Sequence, residues 1–228
     1  MGFAGSVTTL RVVSIKDTNN GSVSTTDDKN YLGVQIGGLT ADLIGLESIL
    51  QFHASGVNVK VNKATDTDNN VATTPAKLDW DSLATSGMPL QSLAVDSALD
   101  VHADGTVALN ALSGVLVAKG SFELDLGQVS TTAPSNGVSF TNASAVSLTL
   151  SGVAVFVGTG GSLSNATANA NVVNGNLGFG GTVTTLKVVS LKDTNGTLLN
   201  PADDHNYLGS HWHWTDSLIS LSFYRLRA

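Results

Sequence analysis

Oxygen-bearing side chains at alternate positions are the sharpest candidate for chemistry in this chain. Asp66, Asp68 and Asn70 offer carboxylate or amide oxygens at every second residue, and such oxygens are the ligands that calcium prefers. A calcium loop of the EF-hand type also needs Gly at its sixth position and Glu at its twelfth, where this chain has Val71 and Lys77. The three residues are therefore a weak candidate calcium site, and an Asx-rich turn is the favoured interpretation.

The histidines are the other candidate ligands. His211 and His213 would place two imidazoles on one face of a strand, an arrangement that metals use. No acidic residue or third histidine is fixed beside them, which argues against a metal site. His53 and His102 each stand three residues before a glycine in strand-like segments. We expect these two to be solvated or hydrogen-bonded strand residues rather than catalysts.

Motifs for catalysis are missing from the sequence. The glycine-rich segment 158–161 lacks the lysine and the following helix that phosphate binding uses, and no glycine–serine pattern fits a nucleophile elbow. Glu123 and Asp125 share one strand face, which needs no catalytic explanation. The acidic pairs 27–28 and 203–204 recur in the chain and indicate either a role in its architecture or a weak ion site. The sequence predicts no enzyme and no cofactor, with calcium at Asp66, Asp68 and Asn70 as a weak candidate ion.

Composition excludes several classes of function. The net charge is −7 and no cluster of lysine or arginine occurs, so the electrostatic signature of nucleic-acid binding is missing. Hydrophobic residues make up 42% and charged residues 13%, which argues against disorder. There is no cysteine, and no apolar run approaches the length that spans a bilayer. The N-terminus has no signal-peptide pattern, which says nothing about export of a longer parent protein.

The chain repeats itself. Residues 2–33 match residues 178–209 without gaps, with 20 of 32 positions identical. We therefore interpret residues 1–177 as one full repeat unit and 178–209 as the start of a second copy. Repeat units normally need neighbouring copies to cover their open ends, so adjacent copies of the same repeat are the expected partners.

The last residues leave the repeat. After Gly209 the first copy's pattern does not continue, and Trp212 and Trp214 stand among residues with no alternating face. A reading frame shifted by one base could encode segments close to 38–41 and 52–56, although a deletion would also be needed. We interpret 210–228 as an off-pattern tail that should pack poorly, and we hypothesise that it arises from a frameshift.

Period-two alternation dominates the rest of the sequence and predicts an all-β fold. Valines at 57, 59 and 61 alternate with polar residues, and similar runs recur at 99–104, 122–126 and 146–157. The alternation changes phase at Gly152, which indicates a bulge or tight turn. The segment 39–50 fits either a short helix or a bulged strand. We expect elongated repetitive β structure, solenoid-like or one continuous twisted sheet, with β-sandwich domains as the alternative.

The chain resembles the long tandem repeats of giant bacterial surface proteins and adhesins. The segments that carry the resemblance are 7–14, 38–46, 52–59, 78–80 and 155–158. The resemblance implies an extracellular, secreted, non-catalytic structural segment at the bacterial cell surface, and no functional residues carry over from it. The expected function is a stalk or spacer. The alternative is a carbohydrate- or calcium-binding β module, which exposed aromatic platforms would favour, yet aromatic residues are only 6%.

Overall fold

The fold is all-β. The computed structural model describes residues 1–18, 28–66, 75–84, 86–88, 90, 92–132, 138–194, 201–214 and 217–226. The strands are β1 Gly2–Ser6, β2 Thr9–Asp17, β3 Lys29–Ile44, β4 Leu50–Asp66, β5 Leu99–Ala111, β6 Leu116–Val129, β7 Ala143–Thr159, β8 Ser162–Leu163, β9 Val172–Val173, β10 Leu177–Asp193, β11 His205–Trp214 and β12 Ser217–Leu226. One 3-10 turn, Pro201–Asp203, is the only helical element within these ranges, so none of them contains a helix that could cross a bilayer.

Ten of the strands form one continuous antiparallel sheet. Its order is β1-β3-β4-β5-β6-β7-β10-β11-β12, and β2 continues the β1 edge by pairing with β3. Strands β8 and β9 form a separate two-stranded sheet. The all-β prediction is confirmed, and the arrangement is the continuous-sheet form of that prediction rather than a sandwich of large sheets.

The ambiguous segment 39–50 is a bulged strand and a turn, not a helix. Leu39 pairs with Val57 and Ala41 with Ala54, and the register shifts on both sides of Leu39. Gly38 has a φ of 65° beside these shifts, a conformation that glycine adopts without strain. Cross-strand pairing therefore overrides the helical spacing of the leucines.

The change of phase at Gly152 is also a bulge. Lys119 of β6 pairs with Ala154, but Ser121 pairs with Ser151, so β7 has one extra residue between them. Gly152 has a φ of 56° at that point. The extra residue turns the apolar side chains after it back to the face that they occupied before it.

Two irregular segments cross the sheet, and both lie on the same side. Segment 75–98 contributes Trp80, Leu93 and Val95 to a buried cluster with Val13. Segment 160–175 lies over the other end of the strands, where Lys119 Nζ donates to Asn171 Oδ1 at 2.7 Å. The core of the molecule therefore sits between the sheet and these two segments.

The side that the segments cover carries polar rows as well as the buried apolar residues of the core. Arg11, Gln35, Lys60, His102 and Asp125 form one cross-strand row on it. Alternation of this kind is typical of strands whose apolar side is buried and whose polar side is solvated. Instead, polar residues such as Asn62 hold the covering segments through hydrogen bonds, and the apolar side is left open.

The tail continues the sheet in its backbone. Residues of β11 pair with β10, and β12 pairs with β11 across a register shift between Ser210 and Trp212. The side chains from 212 onward lie outside the described part of the chain. The prediction that 210–228 packs poorly therefore stays a prediction. Amide exchange tests it, and we expect fast exchange across 210–228 and protection across 178–195.

Candidate functional site

A histidine and two aspartates form the most concentrated group of titratable side chains in the described regions. The β5–β6 register places His102 directly opposite Asp125. His102 Nδ1 lies 2.6 Å from Asp125 Oδ1, and its Nε2 lies 2.9 Å from Asp104 Oδ1. Asp104 also accepts a hydrogen bond of 2.9 Å from Asn58 Nδ2. The imidazole is thus held by a carboxylate at each ring nitrogen.

This geometry favours the charged form of the ring. An ionised carboxylate only accepts hydrogen bonds, so both ring nitrogens donate when both contacts are made, which is the imidazolium state. Burial of the ring lowers the pKa of His102, but the hydrogen bonds and negative charges of Asp125 and Asp104 together outweigh burial. The pKa of His102 therefore lies above its usual value.

The same cluster lies in a groove with mixed polar lining. The groove has a volume of about 550 Å³ and lies on the covered side of the sheet, with Ser55, Ser121 and Asn169 on its walls. Ligand-capable atoms of His102, Glu123 and Asp125 all lie within 4.8 Å of one another. A metal ion would need a lone pair on His102, and both ring nitrogens already donate to carboxylates. The arrangement is better suited to an internal ion cluster than to a metal centre.

Stability should therefore fall as the pH rises through the titration of His102. Because the folded-state pKa is the higher one, the stabilisation is complete below about pH 6.5, the ordinary histidine value, and is lost above the raised folded-state pKa. We expect His102→Gln to destabilise the protein by about 1 kcal/mol at pH 5.5, a value reduced for the partial exposure of both aspartates.

Urea unfolding of the wild type and His102→Gln at several pH values between 5 and 9 measures this. The difference between the two proteins should shrink as the pH rises, and Asp125→Asn should remove much of the same pH dependence. A difference that grows with pH would contradict a raised pKa.

The predicted calcium ligands are only partly within the described residues. Asp66 ends β4, opposite Lys29 in register, and is 4% exposed. Asp68 and Asn70 lie outside the described residues, so the candidate calcium site stays a prediction. His211 lies on β11 opposite Lys187, and the side chain of His213 is outside the described part, so their metal-binding hypothesis is likewise open.

The recurring acidic pairs have a structural partner. Lys16 Nζ lies 2.8 Å from Asp28 Oδ2, and Lys192 Nζ lies 2.8 Å from Asp204 Oδ2. Both aspartates are largely buried, and each ion pair joins the same two positions of the repeat. This supports the architectural interpretation of these residues.

His53 behaves as expected for a hydrogen-bonded strand residue, although it is buried rather than solvated. Its Nδ1 lies 2.7 Å from Asp42 Oδ1, and Asp42 is its direct cross-strand neighbour. Its Nε2 has no hydrogen-bond partner among the described residues. Sequence reasoning missed the His53–Asp42 and His102–Asp125 contacts because each aspartate comes from a neighbouring strand. The hairpin alignment of 99–111 with 116–129 could have revealed the contact between His102 and Asp125.

The two copies of the repeat fold alike. Val13 pairs with Gly33 and Asp17 with Lys29, and in the second copy Val189 pairs with Gly209 and Asp193 with His205. Each of these positions is shifted by the repeat length, so the register is the same. The match between 2–33 and 178–209 predicts the same structure for both, and this is confirmed for the pairing of 13–17 with 29–33 and of 189–193 with 205–209. Residues 2–6 differ from 178–182, because they pair with 40–44 in the first copy and with β7 in the second.

The copies differ in what lies on the other side of the repeated strand. β10 pairs with β7 over nearly its whole length, from Leu177 opposite Thr159 to Lys192 opposite Ser144. Among the strands in the described ranges, β2 pairs with β3 only. We call the β7–β10 contact the repeat seam. It joins the end of one unit to the beginning of the next.

The repeat seam reduces the exposure of apolar side chains that are open to solvent in the first copy. Leu10 is 64% and Val12 59% exposed, whereas the equivalent Leu186 and Val188 are only partly exposed. Leu186 and Val188 face Leu150 and Leu148 of β7 across the seam. The free side of β2 therefore lacks the neighbour that its repeated counterpart has.

No family model, curated protein or solved structure matches this chain.

Proposed function

We propose that this chain is a non-catalytic structural segment, a stalk or spacer of a large bacterial surface protein, in which copies of a 176-residue unit follow one another along the sheet. The single observation that carries the proposal is the repeat seam, where β10 of the second copy pairs with β7 of the first in the register of a continuous sheet. The last long strand of a unit, β7, pairs with the strand that opens the next unit. Further copies can therefore be joined without a break in the sheet. The extracellular location is part of the proposal and rests on the resemblance to surface-protein repeats.

Solution scattering on chains of two, four and six copies of residues 2–177 tests this function. Each unit contributes six strand positions, those of β1 with β2, β3, β4, β5, β6 and β7. At about 4.8 Å between strands, each added copy should lengthen the molecule by about 29 Å.

The control carries Leu10→Pro in every copy after the first, the position that corresponds to Leu186 at the junction. Leu186 is paired with strands on both sides, so proline there removes a backbone donor from the sheet. In this control, the length of the molecule should no longer increase by a constant amount with each added copy. A wild-type series whose radius of gyration rises only roughly 1.3-fold per doubling, as for compact chains, would contradict the spacer proposal.

A binding module is the second candidate, and the groove beside His102 favours it. Its polar lining includes Asp104, Glu123 and Asn169, which suits a small polar ligand such as a sugar. The one aromatic residue among the lining residues, Phe122, alternates with Glu123 and so belongs to the opposite side of the sheet. Sugar-binding sites commonly rely on aromatic rings, so the spacer is the better supported function.

A further inference from the structure

The side of the sheet opposite the covering segments carries continuous rows of apolar residues. Direct cross-strand pairing places each row on one face. The first row is Val12, Val34, Val61, Val101, Leu126, Val146, Ser190 and Leu208. The second is Leu10, Ile36, Val59, Ala103, Leu124, Leu148, Val188 and Ser210. A third contains Leu39, Val57, Gly105, Phe122, Leu150 and Leu186. We call these rows the apolar face.

The apolar face is open in the described parts of the chain. Val12, Val146 and Leu208 are 59%, 43% and 40% exposed, and the other large side chains of the three rows are at least partly exposed. Both segments that cross the sheet contact its other side instead: Trp80 lies against Gly33, and Asn171 accepts from Lys119. The rows contain no charged residue.

The area of the apolar face is that of a protein–protein interface. Seven strands at about 4.8 Å and three rows at about 6.7 Å cover about 34 Å by 20 Å, on the order of 700 Å². Further apolar rows on β4 to β7, including Phe52–Leu109–Ala118–Val155, bring it to on the order of 1,000 Å². A monomer seldom exposes more than about 600 Å² of contiguous apolar surface, and a standard interface buries about 800 Å² per partner.

We propose that this face stacks against the apolar face of a second copy of the chain, so that the assembled sheet is two layers thick. An uncharged face of Val, Leu, Ile and Ala needs no opposite charge on its partner, so it complements itself across a two-fold axis. Two such sheets pack about 10 Å apart with interdigitating side chains. This association is separate from the end-to-end seam, because it uses the face of the strands and not their edges.

Charge argues against a membrane as the occupant. The net charge of the chain is −7, and attraction to anionic lipid depends on basic clusters. Two of the lysines that border the apolar face, Lys16 and Lys192, are engaged with Asp28 and Asp204 at 2.8 Å. Lys63, opposite Leu32, is a further lysine beside the face, and a single lysine is not a basic cluster.

Sedimentation of the whole chain, with Leu148→Lys and Ser147→Lys as a matched pair, tests the proposal. Leu148 is in the middle of the apolar face, between Leu124 and Val188, and Ser147 is the next residue on the opposite side. The wild type and Ser147→Lys should dimerise alike, and Leu148→Lys should weaken dimerisation by at least about 100-fold because it buries an unpaired charge. A monomeric wild type, or equal effects of the two lysines, would overturn the proposal.

A second measurement does not depend on whether Leu148→Lys folds. The chain has no cysteine, so single spin labels at Leu124→Cys and Glu123→Cys report on the two sides of one strand. In the face-to-face dimer the labels at 124 should be closer to each other, by about 10 Å or more, than the labels at 123. Closer labels at 123 would contradict the face-to-face dimer.

Vesicle flotation tests lipid as the occupant of the apolar face. If a monomeric wild type floated with phosphatidylcholine vesicles and Leu148→Lys did not, the face would be assigned to lipid and the proposal overturned.

Discussion

Trp80→Ala should lower the free energy of unfolding by about 3–5 kcal/mol, the usual cost of removing a buried aromatic side chain. Trp80 is 4% exposed and belongs to the buried cluster with Val13, Leu93 and Val95. Its ring fills the space over Gly33, where an added Cβ would lie 2.8 Å from Trp80 Cε2. Removing the ring leaves a cavity between segment 75–98 and the sheet. Urea unfolding followed by circular dichroism measures the loss.

Two companion variants separate the ring from its hydrogen bond. Trp80 Nε1 donates to Asn62 Oδ1 at 2.9 Å, so Trp80→Phe keeps most of the packing and should cost about 1–3 kcal/mol for the unsatisfied oxygen. Met88→Ala, in the same segment but 74% exposed, should change the free energy of unfolding by less than about 0.5 kcal/mol. If Trp80→Ala proved as mild as Met88→Ala, the segment would not be docked as described.

The strands were predictable because local pattern determines them. Alternation of valines with Asn58, Lys60 and Asn62 specifies a strand without knowledge of its neighbours, and Gly152 marks the bulge because a change of phase needs an extra residue. The identical register of the two copies was predictable for the same reason. Equal patterns of apolar and turn residues specify equal pairings.

The identity of the buried side could not be read from alternation. Alternation separates two faces but does not say which one a distant segment will cover. Asn62 looked like a solvated residue, yet its Nδ2 donates to the carbonyls of Leu78 and Asp96 at 2.8 and 2.7 Å and so holds both ends of segment 75–98. A polar side chain in a strand can hydrogen-bond equally well to solvent or to the backbone of another segment. Only the path of the chain decides between these partners.

The candidate site was missed for a related reason. His102 and Asp125 are 23 residues apart, and their contact exists only because the β5–β6 hairpin sets its register. Glu123 and Asp125 were recognised as a pair on one face, but the imidazole that contacts Asp125 comes from the neighbouring strand. Sites within a sheet are made of cross-strand neighbours, which a single strand's sequence does not contain.

The repeat seam also supplies a pair of equivalent glycines with different surroundings. Gly178 begins the second copy with a φ of 152°, and an added Cβ would lie against the carbonyl oxygen of Val157 and 2.6 Å from Gly158 Cα. Gly2 is the same position in the first copy, and nothing lies within 4 Å of an added Cβ there. The difference arises because β7 approaches β10 at the seam, whereas β1 has no such neighbour on that side among the described strands.

Gly178→Val should therefore destabilise the protein by at least about 2 kcal/mol, since a β-branched residue is strained at this φ and its side chain meets backbone atoms that cannot move away easily. Gly2→Val should change the free energy of unfolding by less than about 0.5 kcal/mol, as expected for an open surface position. Urea unfolding measures both, and amide exchange across 153–159 should show where the loss occurs. Equal effects of the two variants would mean that β7 and β10 do not close on each other, and the continuous sheet through the junction would then lose its main support.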